Sequence, residues 1–517
     1  MHSVIVGSGP AAAAAILALA GDISQQITVV DIGAQLDAEA AAAVGRMSAA
    51  QPGQWSAADL ARITAQPAKL ADAALPEKRT YGSDYPFTDL GQQRGLHAPT
   101  AGNAAAVSGA LGGFSTVWGA QIMPFSRSTF ARWPFGWSDI EPHYRAVLGE
   151  VPLAAADDDY AEDFPLIAAS AALPPLARRS SAVLERYRRH RRAIRAKGAI
   201  VGAARLAFAA NDCVRCGLCM TGCPYSLIYS ARQTVERFVS SGRVKYLDRI
   251  LVTEVGQAPG GTPRVHGRDL GTDRAIVLDA DRVFLAAGGL GSTRIALNSL
   301  AAPPRRLELK ESMQFLVPFV SRRNTGDPRR ESAFTLNQFN ILLKFDDEAY
   351  TTSQIHCYPY NPAIDEALPR FVPRPLQGAV LGRVTAGLGY LPSWESPQLR
   401  VELLARREGA LPEVAICTNS DDRPPMLRSV LRRLAALGPK LDLHPVLPMV
   451  RRSGPGKSYH FGGTFAHGVD SDVLGRIGEW RDIHLIDGSV LPSIPSTTFT
   501  LSVMANAHRI ATAVRDA

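Results

Sequence analysis

Residues 2 to 12 of the chain, His2-Ser3-Val4-Ile5-Val6-Gly7-Ser8-Gly9-Pro10-Ala11-Ala12, decide its fold class. The segment His2 to Val6 is short and rich in β-branched residues, which favours a buried strand. Two glycines follow, and Pro10 to Ala20 is a run of small apolar residues that predicts a helix. Ile27 to Asp31 predicts a second buried strand. The order strand, glycine-rich turn, helix and strand is typical of a Rossmann-like α/β unit.

The turn of this unit fits the pattern G-x-G-x-x-A. Gly7 permits the tight turn, Gly9 lets the backbone approach a pyrophosphate, and Ala12 lets helix and strand pack closely. The free N–H groups at the helix N-terminus attract phosphate. Asp31, at the end of the second strand, is positioned to accept a hydrogen bond from a ribose, and its charge disfavours a 2′-phosphate. The pattern therefore predicts an FAD or NAD site rather than an NADP site.

Three further segments decide between FAD and NAD, because with the first they resemble the glucose–methanol–choline (GMC) flavoprotein oxidoreductases. They are Gly112-Gly113-Phe114-Ser115-Thr116-Val117-Trp118-Gly119, Leu285-Ala286-Ala287-Gly288-Gly289 followed by Leu290-Gly291-Ser292, and Asp487-Gly488-Ser489-Val490-Leu491-Pro492. The segments stand in the family's order along the whole chain, and the resemblance is weakest over about 35–90 and 301–450. It implies FAD, bound by Gly7, Gly9, Ala12, Asp31, Gly112, Gly113, Ser115, Trp118, Gly119, Ala287, Gly288, Asp487 and Gly488. It also implies non-covalent binding, since Val117 stands where some relatives attach FAD through a histidine.

The resemblance implies that His460, in Ser458-Tyr459-His460-Phe461-Gly462-Gly463-Thr464, faces the flavin as the catalytic base. Alcohol oxidation moves a hydride to flavin N5 and a proton to a base, and histidine suits that base near neutral pH. A buried structural histidine is the alternative. The family's second catalytic residue, usually His or Asn, falls on Thr498, which can hydrogen-bond a substrate oxygen but is a poor base. Asn506 and His508 lie later and are expected to fall short of the flavin.

Four cysteines, Cys213, Cys216, Cys219 and Cys223, have the spacing C-x2-C-x2-C-x3-C-P of bacterial ferredoxins. The spacing predicts an iron–sulfur cluster, [4Fe–4S] in preference to [3Fe–4S] or zinc; a run that binds nothing is the remaining alternative. Cys357 or Cys417 could replace Cys223 as fourth ligand, but both lie in expected strands. Near the flavin, a cluster would pass electrons singly to a quinone, a cytochrome or another carrier, which favours a dehydrogenase over an oxidase. Far from it, the cluster would be structural.

The expected division of the chain is discontinuous. The FAD-binding domain takes 1–145, 205–300 (with the cysteine run) and 451–517, while 146–204 is a helical segment on the substrate side and 301–450 is the substrate domain. In 301–450 we expect strands at Phe315 to Val320, Phe339 to Phe345, Gln354 to Tyr358 and Gln398 to Leu404, and a helix at Met426 to Leu437. The fold class is thus α/β (α+β overall): a Rossmann-like FAD-binding domain with an antiparallel-sheet substrate domain, as in the GMC family.

Charge and hydropathy limit the partners. The 517 residues carry a formal charge of +8, part of it in the run Arg186 to Lys197. We interpret this run as a solvated helical face, with an acidic partner or a peripheral membrane contact as alternatives; no recognition motif surrounds it, and no nucleic acid is expected. The apolar stretch Val4 to Ala20 is broken at Gly7 to Pro10 and lacks a charged leader, so we expect neither a membrane helix nor a signal peptide and a cytoplasmic location.

The leading functional hypothesis is an FAD-dependent dehydrogenase that oxidises the CH–OH group of a polyol, sugar or sterol-like alcohol and uses an acceptor other than oxygen. Because of Thr498, a GMC-like enzyme of desaturation, isomerisation or cyclisation is an alternative, and a non-catalytic FAD and iron–sulfur redox module is another. Aromatic residues are more often core than pocket residues, but the candidates for a pocket lining are Trp118, Trp133, Trp137, Tyr358, Tyr360 and Trp394.

Overall fold

A five-stranded parallel sheet forms around the N-terminal glycine motif in the computed structural model, which describes residues 1–65, 79–97, 105–346, 350–362, 364, 373–418 and 424–517. All its pairings are parallel. In spatial order its strands are β22 (Ile483–Leu485), β11 (Arg282–Leu285), β1 (His2–Val6), β2 (Gln26–Val30) and β7 (Val244–Leu247). The predicted Rossmann-like arrangement is confirmed, and the sheet takes strands from the beginning, middle and end of the chain.

The described helices lie around this sheet and the substrate-side sheet, and several of them pack on the sheet faces. They are α1 (Pro10–Ala20), α2 (Ala38–Ser48), α3 (Ala57–Thr64), α4 (Arg127–Phe130), α5 (Trp137–Glu150), α6 (Arg178–Arg195), α7 (Ala231–Ser240), α8 (Gly289–Ser299), α9 (Arg374–Leu381), α10 (Pro425–Leu441) and α11 (Thr500–Arg515). The small residues of α1 are almost all buried, because the helix packs on the parallel sheet and against α11. Helix α7 begins at Ala231, because Ser230 caps it by accepting from the backbone N–H of Arg232. No described helix is both long enough and apolar enough to cross a membrane.

An antiparallel sheet of seven strands forms the substrate side, as predicted. Its strands are β19 (His444–Pro445), β13 (Gln314–Val320), β16 (Val384–Tyr390), β15 (Thr352–Tyr358), β14 (Phe339–Lys344) and β5 (Ala199–Ala203), with β20 (Arg451–Arg452) also on β13. Helices α6 and α10 bury one face of it, around Phe315, Ile341, Ile355 and Val430. The edge strand β5 comes from the segment before the cysteine run.

Other strands form smaller sheets. They are β8 (Ile250–Gln257), β9 (Pro263–Asp269) and β10 (Ala275–Asp279) in one; β21 (Phe461–Gly462), β12 (Arg306–Glu311), β17 (Leu399–Ala405), β18 (Glu413–Thr418) and β3 (Leu96–His97) in a second; and the pair β4 (Leu153–Ala154) and β6 (Leu206–Ala207). The strand predicted at 398–404 is β17, but it pairs with β12 and β18 rather than with the substrate-side sheet.

The basic run lies on α6, where it is partly neutralised. Arg191 binds Asp159 at 2.6 Å, and Arg195 binds Glu162 at 2.6 Å. Arg186 donates to the carbonyl of Lys440 at the end of α10. These contacts tie the arginines to their own domain, which favours the interpretation of the run as a helical surface over that of a ligand site.

Candidate active site

A cavity of about 1650 Å³, counted with the open space at its mouth, is lined by both the parallel sheet and the substrate-side sheet. Nearly all of the predicted site residues meet there. They are Gly7, Gly9, Asp31, Gly113, Ser115, Trp118, Gly119, Ala287, Gly288, His460, Asp487, Gly488 and Thr498. Ala12 and Gly112 do not line the cavity: Ala12 is buried in the packing of α1, and Gly112 lies behind the wall. Val117 does not line it either.

The turn between β1 and α1 makes one end of the cavity. Gly7 has a φ of +100°, and a Cβ atom there would lie 2.5 Å from the carbonyl oxygen of Ala286. A Cβ atom on Gly9, by contrast, would meet nothing within 4 Å, because Gly9 faces the cavity. The first residues of α1 line the same space, so the helix N-terminus is open to an anionic group. This is the surface that a pyrophosphate requires.

The strain at Gly7 gives a direct test of the turn. Gly7→Ala should lower the free energy of unfolding by about 1–3 kcal/mol and reduce the FAD held per chain, because the new methyl group forces the turn away from β11. Gly45→Ala is the matched control, since Gly45 lies exposed in α2 and its added Cβ meets nothing. Thermal unfolding and flavin absorbance per chain measure both effects. Equal FAD content in the two variants would contradict this account of the turn.

Asp31 follows β2 and is buried in the cavity wall. Its Oδ2 accepts hydrogen bonds from the hydroxyls of Ser8 and of Tyr246, the latter at 3.2 Å. Ser8 Oγ also accepts from the backbone N–H of Gly112 at 2.9 Å. Gly112 thus acts on the site indirectly, by holding Ser8 against the carboxylate. Burial raises the pKa of Asp31 to about 6, and the hydrogen bonds to the charged form oppose that rise.

This raised pKa predicts how the stability of the FAD-free protein depends on pH. The folded protein holds the Asp31 proton more tightly than the unfolded chain, whose pKa is near 3.8. The protonated Asp31 carboxyl therefore makes its full contribution to the free energy of unfolding below about pH 4. This contribution is lost as pH rises through about 6, and the loss is about 3 kcal/mol at most. Asp31→Asn should remove this part of the pH dependence. Urea unfolding of both proteins at pH 4 and pH 7 measures this difference. If the free energy of unfolding changes equally between the two pH values in both proteins, Asp31 titrates normally.

Asp487 builds the opposite part of the wall. It follows β22 and accepts hydrogen bonds from Ser292 Oγ at 2.5 Å and from the N–H of Ser489 at 2.9 Å. Ser292 Oγ accepts in turn from the N–H of Ala287 at 3.1 Å. Gly288 caps α8 at a φ of +82°. The middle and C-terminal motifs of the sequence are therefore joined by one buried carboxylate, whose pKa burial raises.

His460 and Thr498 face the cavity with unused polar atoms. The His460 ring stacks on Tyr390, with 4.8 Å between centroids and 22° between planes, and its edge contacts Phe499. His460 Nδ1 and Thr498 Oγ1 are buried without a hydrogen-bond partner. Burial lowers the pKa of His460 to about 4, so the imidazole is neutral at pH 7. Unpaired buried polar atoms are rare in folded proteins, and here they mark a place for a ligand's polar group.

The sequence prediction missed His356, which β15 places in the same cavity. Its ring lies 5.0 Å from that of Tyr390, on which His460 also stacks. Gln354 Nε2 is 3.3 Å from the hydroxyl of Tyr160, so the carbonyl oxygen of Gln354 faces His356 Nε2 at 3.0 Å. His356 Nε2 therefore donates, and Nδ1 is left as the acceptor. Burial, with a smaller effect of His460, lowers the pKa of His356 to about 3.

A period-two signal could have found this residue. Gln354, His356 and Tyr358 alternate along β15 and share one face of the sheet, and both His356 and Tyr358 line the cavity. Of the candidate aromatics, Trp118 and Tyr358 line it as well, whereas the others lie elsewhere: Trp133, Trp137, Tyr360 and Trp394. Asn506 contacts His467, His508 contacts His143, and neither residue lines the cavity.

The four cysteines of the run lie in a loop that does not line the cavity. Cys219 and Cys223 are buried, while Cys213 and Cys216 are half-buried. The backbone N–H of Arg215 donates to Cys213 Sγ and that of Thr335 to Cys219 Sγ, both at 3.4 Å. Among the residues that the structure describes, no three His, Cys, Asp or Glu side chains are grouped as ligands of a metal ion. The structure therefore does not itself show the predicted metal site.

Hydrogen bonds connect the cysteine loop to the cavity wall. The carbonyl of Cys223 accepts from the hydroxyl of Tyr81 at 2.7 Å, and neighbouring Thr80 donates to the carbonyl of Thr116 at 2.8 Å. Trp118 Nε1 donates to the carbonyl of Tyr229, six residues beyond Cys223, at 2.8 Å. The loop is thus linked, through Tyr81 and Thr80 on one side and Tyr229 on the other, to the glycine-rich turn that lines the cavity. Cys357 and Cys417 lie apart from it, in β15 and β18.

Comparisons with solved structures identify the fold. Pyridoxine 4-oxidase from Mesorbium loti matches 99% of this chain and 98% of its own, with 15% identity and a TM-score of 0.61. A variant of formate oxidase from Aspergillus oryzae RIB40 matches 100% of this chain and 98% of its own, with 13% identity and a TM-score of 0.65. No protein-family model and no curated protein matches the sequence. Both solved proteins are GMC oxidoreductases, and the chain has the GMC fold that its motifs imply.

Proposed function

We propose, on the basis of this GMC fold and cavity, that the protein is an FAD-dependent dehydrogenase of alcohols. The substrate's CH–OH group would lose a hydride to flavin N5 and a proton to His460. The observation that carries the proposal is the neutral imidazole of His460, whose Nδ1 has no hydrogen-bond partner, in the cavity that also contains the dinucleotide motif. Electrons would then leave through an iron–sulfur cluster to an external carrier such as a quinone or a cytochrome.

The cavity residues fit a bound FAD. Gly9 leaves open space where a pyrophosphate must approach, at the N-terminus of α1. Asp31 offers a carboxylate for the ribose, while the turn at Gly113 and the segment at Asp487 supply the remaining walls. FAD, when bound, supplies the two-electron acceptor for the hydride. No histidine stands at position 117, so we propose that FAD is held non-covalently.

The proton chemistry rests on residues of this chain. His460 is neutral above about pH 4 and so holds a free lone pair at physiological pH. Thr498 Oγ1 can hydrogen-bond the substrate oxygen and keep it near that lone pair. Thr498 is buried and His460 Nδ1 is out of contact with solvent, which limits water at the proton-accepting atom. His356 is a second neutral imidazole in the same space and is the nearest functional substitute for the missing second base.

The proposed cluster rests on the cysteine spacing and on the N–H groups directed at the thiols of Cys213 and Cys219. A bound cluster would accept the electrons of the hydride one at a time. The hydrogen bonds of Tyr81 and Trp118 link the loop and the segment after it to residues of the cavity wall, and this short connection supports an electron relay over a purely structural role of the cluster. A half-buried loop is also accessible to an external carrier.

We propose a cytoplasmic location for the enzyme.

Thr498 favours one second candidate. A hydroxyl in place of a second base suits a GMC-like reaction in which no alcohol proton is removed, such as a desaturation, an isomerisation or a cyclisation. This candidate predicts that alcohols bind in the cavity without reducing the flavin.

Anaerobic photometry tests the proposed function. The purified holoenzyme is mixed with a panel of alcohols, and the flavin absorbance is followed. Bleaching by an alcohol is the expected result, whereas a flavin that stays oxidised with every alcohol favours the second candidate. The electron acceptor is tested by reoxidising the reduced enzyme with oxygen and with a quinone in parallel. Faster reoxidation by oxygen would contradict the dehydrogenase assignment.

A further inference from the structure

Gln121 is a cavity residue that neither the dinucleotide motif nor the proposed proton transfer uses. It lines the cavity and is only 3% exposed. Neither Oε1 nor Nε2 of its amide has a hydrogen-bond partner among the described residues, and both atoms are out of contact with solvent. A buried amide without partners costs stability. The side chain therefore calls for a partner that the protein itself does not supply.

The other buried glutamines that the structure describes have at least one amide atom paired, and they are Gln25, Gln92, Gln338 and Gln354. The best match to Gln121 is Gln338, which is fully buried. Its amide donates to the carbonyl of Phe334 and accepts from the N–H of Ala177, both at 2.9 Å. Gln121 thus differs from a structural glutamine of equal burial in having no internal partner.

The backbone of Gln121 is held in place beside the substrate-side sheet. Gln121 forms a β-bridge with Leu206, and the N–H of Ile122 donates to the carbonyl of Arg205 at 2.8 Å. At Gly119, an added Cβ atom would lie 3.0 Å from the hydroxyl oxygen of a tyrosine on β15. The amide is therefore carried on a fixed segment, as a recognition group requires.

A second contact places Gln121 along β15. The tyrosine beside Gly119 is Tyr358, and two residues beyond Gln121 the sulfur of Met123 lies 3.3 Å from Gln354 Nε2. The segment therefore runs along β15 from position 358 towards position 354. Gln121 lies midway between the two contacts, level with His356, which lines the same cavity.

Gln121 and His356 together form what we call the second polar subsite. Its polar atoms are the two amide atoms and the imidazole Nδ1, which is an acceptor because Nε2 already donates. The ring of Tyr390 separates it from the reacting end, since that ring lies 5.0 Å from His356 and 4.8 Å from His460. The Tyr390 hydroxyl accepts from Gln314 at 2.9 Å and still has its own proton to donate.

These atoms select a neutral group that both donates and accepts. A carboxamide or a lactam presents an N–H and a carbonyl side by side in one plane, and so matches both atoms of the Gln121 amide. A carboxylate only accepts, and it would leave Gln121 Oε1 and His356 Nδ1 unpaired beside its charge. No lysine or arginine among the described residues lines the cavity to neutralise that charge.

We infer, resting on the proposed function, that the second polar subsite binds a carboxamide- or lactam-type group of the substrate and so directs the CH–OH group towards His460. The flavin contacts lie at the other end of the same segment. There, an added Cβ atom on Gly113 would lie 3.4 Å from Gly9 Cα, in the dinucleotide turn. Gln121 lies beyond that turn, on the substrate side.

Matched alcohols test the subsite. Anaerobic holoenzyme at pH 7 is mixed with benzyl alcohol, with 3- and 4-(hydroxymethyl)benzamide and with the two corresponding benzoates. At least one benzamide should reduce the flavin with a kcat/KM about tenfold or more above that of benzyl alcohol, and the benzoates should fall below it. In Gln121→Met this advantage should shrink to within about threefold. No advantage in the parent protein, or an unchanged advantage in the variant, would overturn the inference.

Thermal unfolding of the holoenzyme supplies a readout that a structural glutamine would move the other way. Gln121→Met fills a similar volume without the orphaned amide, so it should raise the unfolding midpoint by about 1–3 °C. Gln338→Met is the matched control, and it should lower the midpoint because it breaks two hydrogen bonds. A lower midpoint in Gln121→Met would show that its amide is structural. A lower FAD content in Gln121→Met would assign the amide to the flavin, and either result would overturn the inference.

Benzamide separates this inference from the proposed reaction, since it has no alcohol group to oxidise. It should perturb the absorbance of the oxidised flavin, with a Kd about tenfold or more lower in the parent protein than in Gln121→Met. If no alcohol bleaches the flavin but benzamide binding depends on Gln121 in this way, the proposed reaction fails and the subsite stands. If benzamide binds both proteins equally, or neither, the subsite fails, whatever the reaction.

Discussion

Replacing His460 by glutamine should slow alcohol-driven flavin reduction by about 10²–10⁴-fold, the usual loss on removing a general base. FAD content should be unchanged, because the side chain meets Tyr390 and Phe499 rather than the dinucleotide motif. The parent enzyme should reduce its flavin at a rate that is flat from pH 6 to pH 8 and falls as pH approaches 4, where the imidazole gains a proton. Anaerobic stopped-flow mixing with a saturating alcohol measures both the rate and its pH profile.

His356→Gln is the matched control, since it alters the other neutral imidazole in the cavity. Its loss should be smaller than that of His460→Gln, and the flat region of its pH profile should remain. Dithionite reduction of each variant shows that the flavin itself is still reducible. If His356→Gln loses more activity than His460→Gln, the base is His356. If neither variant slows the reaction, the proton goes to another group.

The second large effect concerns the cysteine run. Cys216→Ser should reduce iron and acid-labile sulfide to near zero and abolish the EPR signal of the reduced protein, because the run supplies the thiolate ligands. Flavin reduction by the alcohol should persist, since the loop does not line the cavity. Electron transfer to an external quinone should fall. Metal analysis of anaerobically purified protein, EPR and quinone-reduction assays measure these three outcomes.

Cys417→Ser provides the control, as Cys417 lies in β18, outside the loop. It should keep its full iron content and its EPR signal. Zinc without iron in the parent protein would rule out the electron relay. Full iron in Cys216→Ser would remove that cysteine from the ligand set. If quinone reduction survives complete loss of iron, the cluster is structural and electrons leave the flavin directly.

The sequence predicted those parts of the fold that are encoded locally. The strand at His2 to Val6, the turn at Gly7 and the helix from Pro10 are formed as expected, because glycine conformation and hydrophobic periodicity act over a few residues. His460 could be singled out because a family motif surrounds it. The same motif comparison placed Thr498 at the family's second catalytic position and identified no second base.

The missed features depend on contacts between distant segments. His356 enters the cavity only because β15 pairs with β16 and turns one face to the flavin-binding side, which no local pattern specifies. The strand at 399–405 was predicted almost in place, but its partners are β12 and β18. Edge strand β5, at 199–203, joins a sheet whose other members come more than a hundred residues later. The sequence therefore indicated where strands lie but not which strands pair.

One feature of the architecture constrains how the protein is made. The first helix, α1, packs against the last, α11, and β22 completes an edge of the sheet that β1 begins. A ribosome must therefore synthesise nearly all of this chain before the nucleotide-binding half can close. Until then the alanine-rich face of α1 has no native cover, and such surfaces recruit chaperones or aggregate. The complete dinucleotide-binding wall, which includes Asp487 after β22, can therefore form only once that late segment has been made.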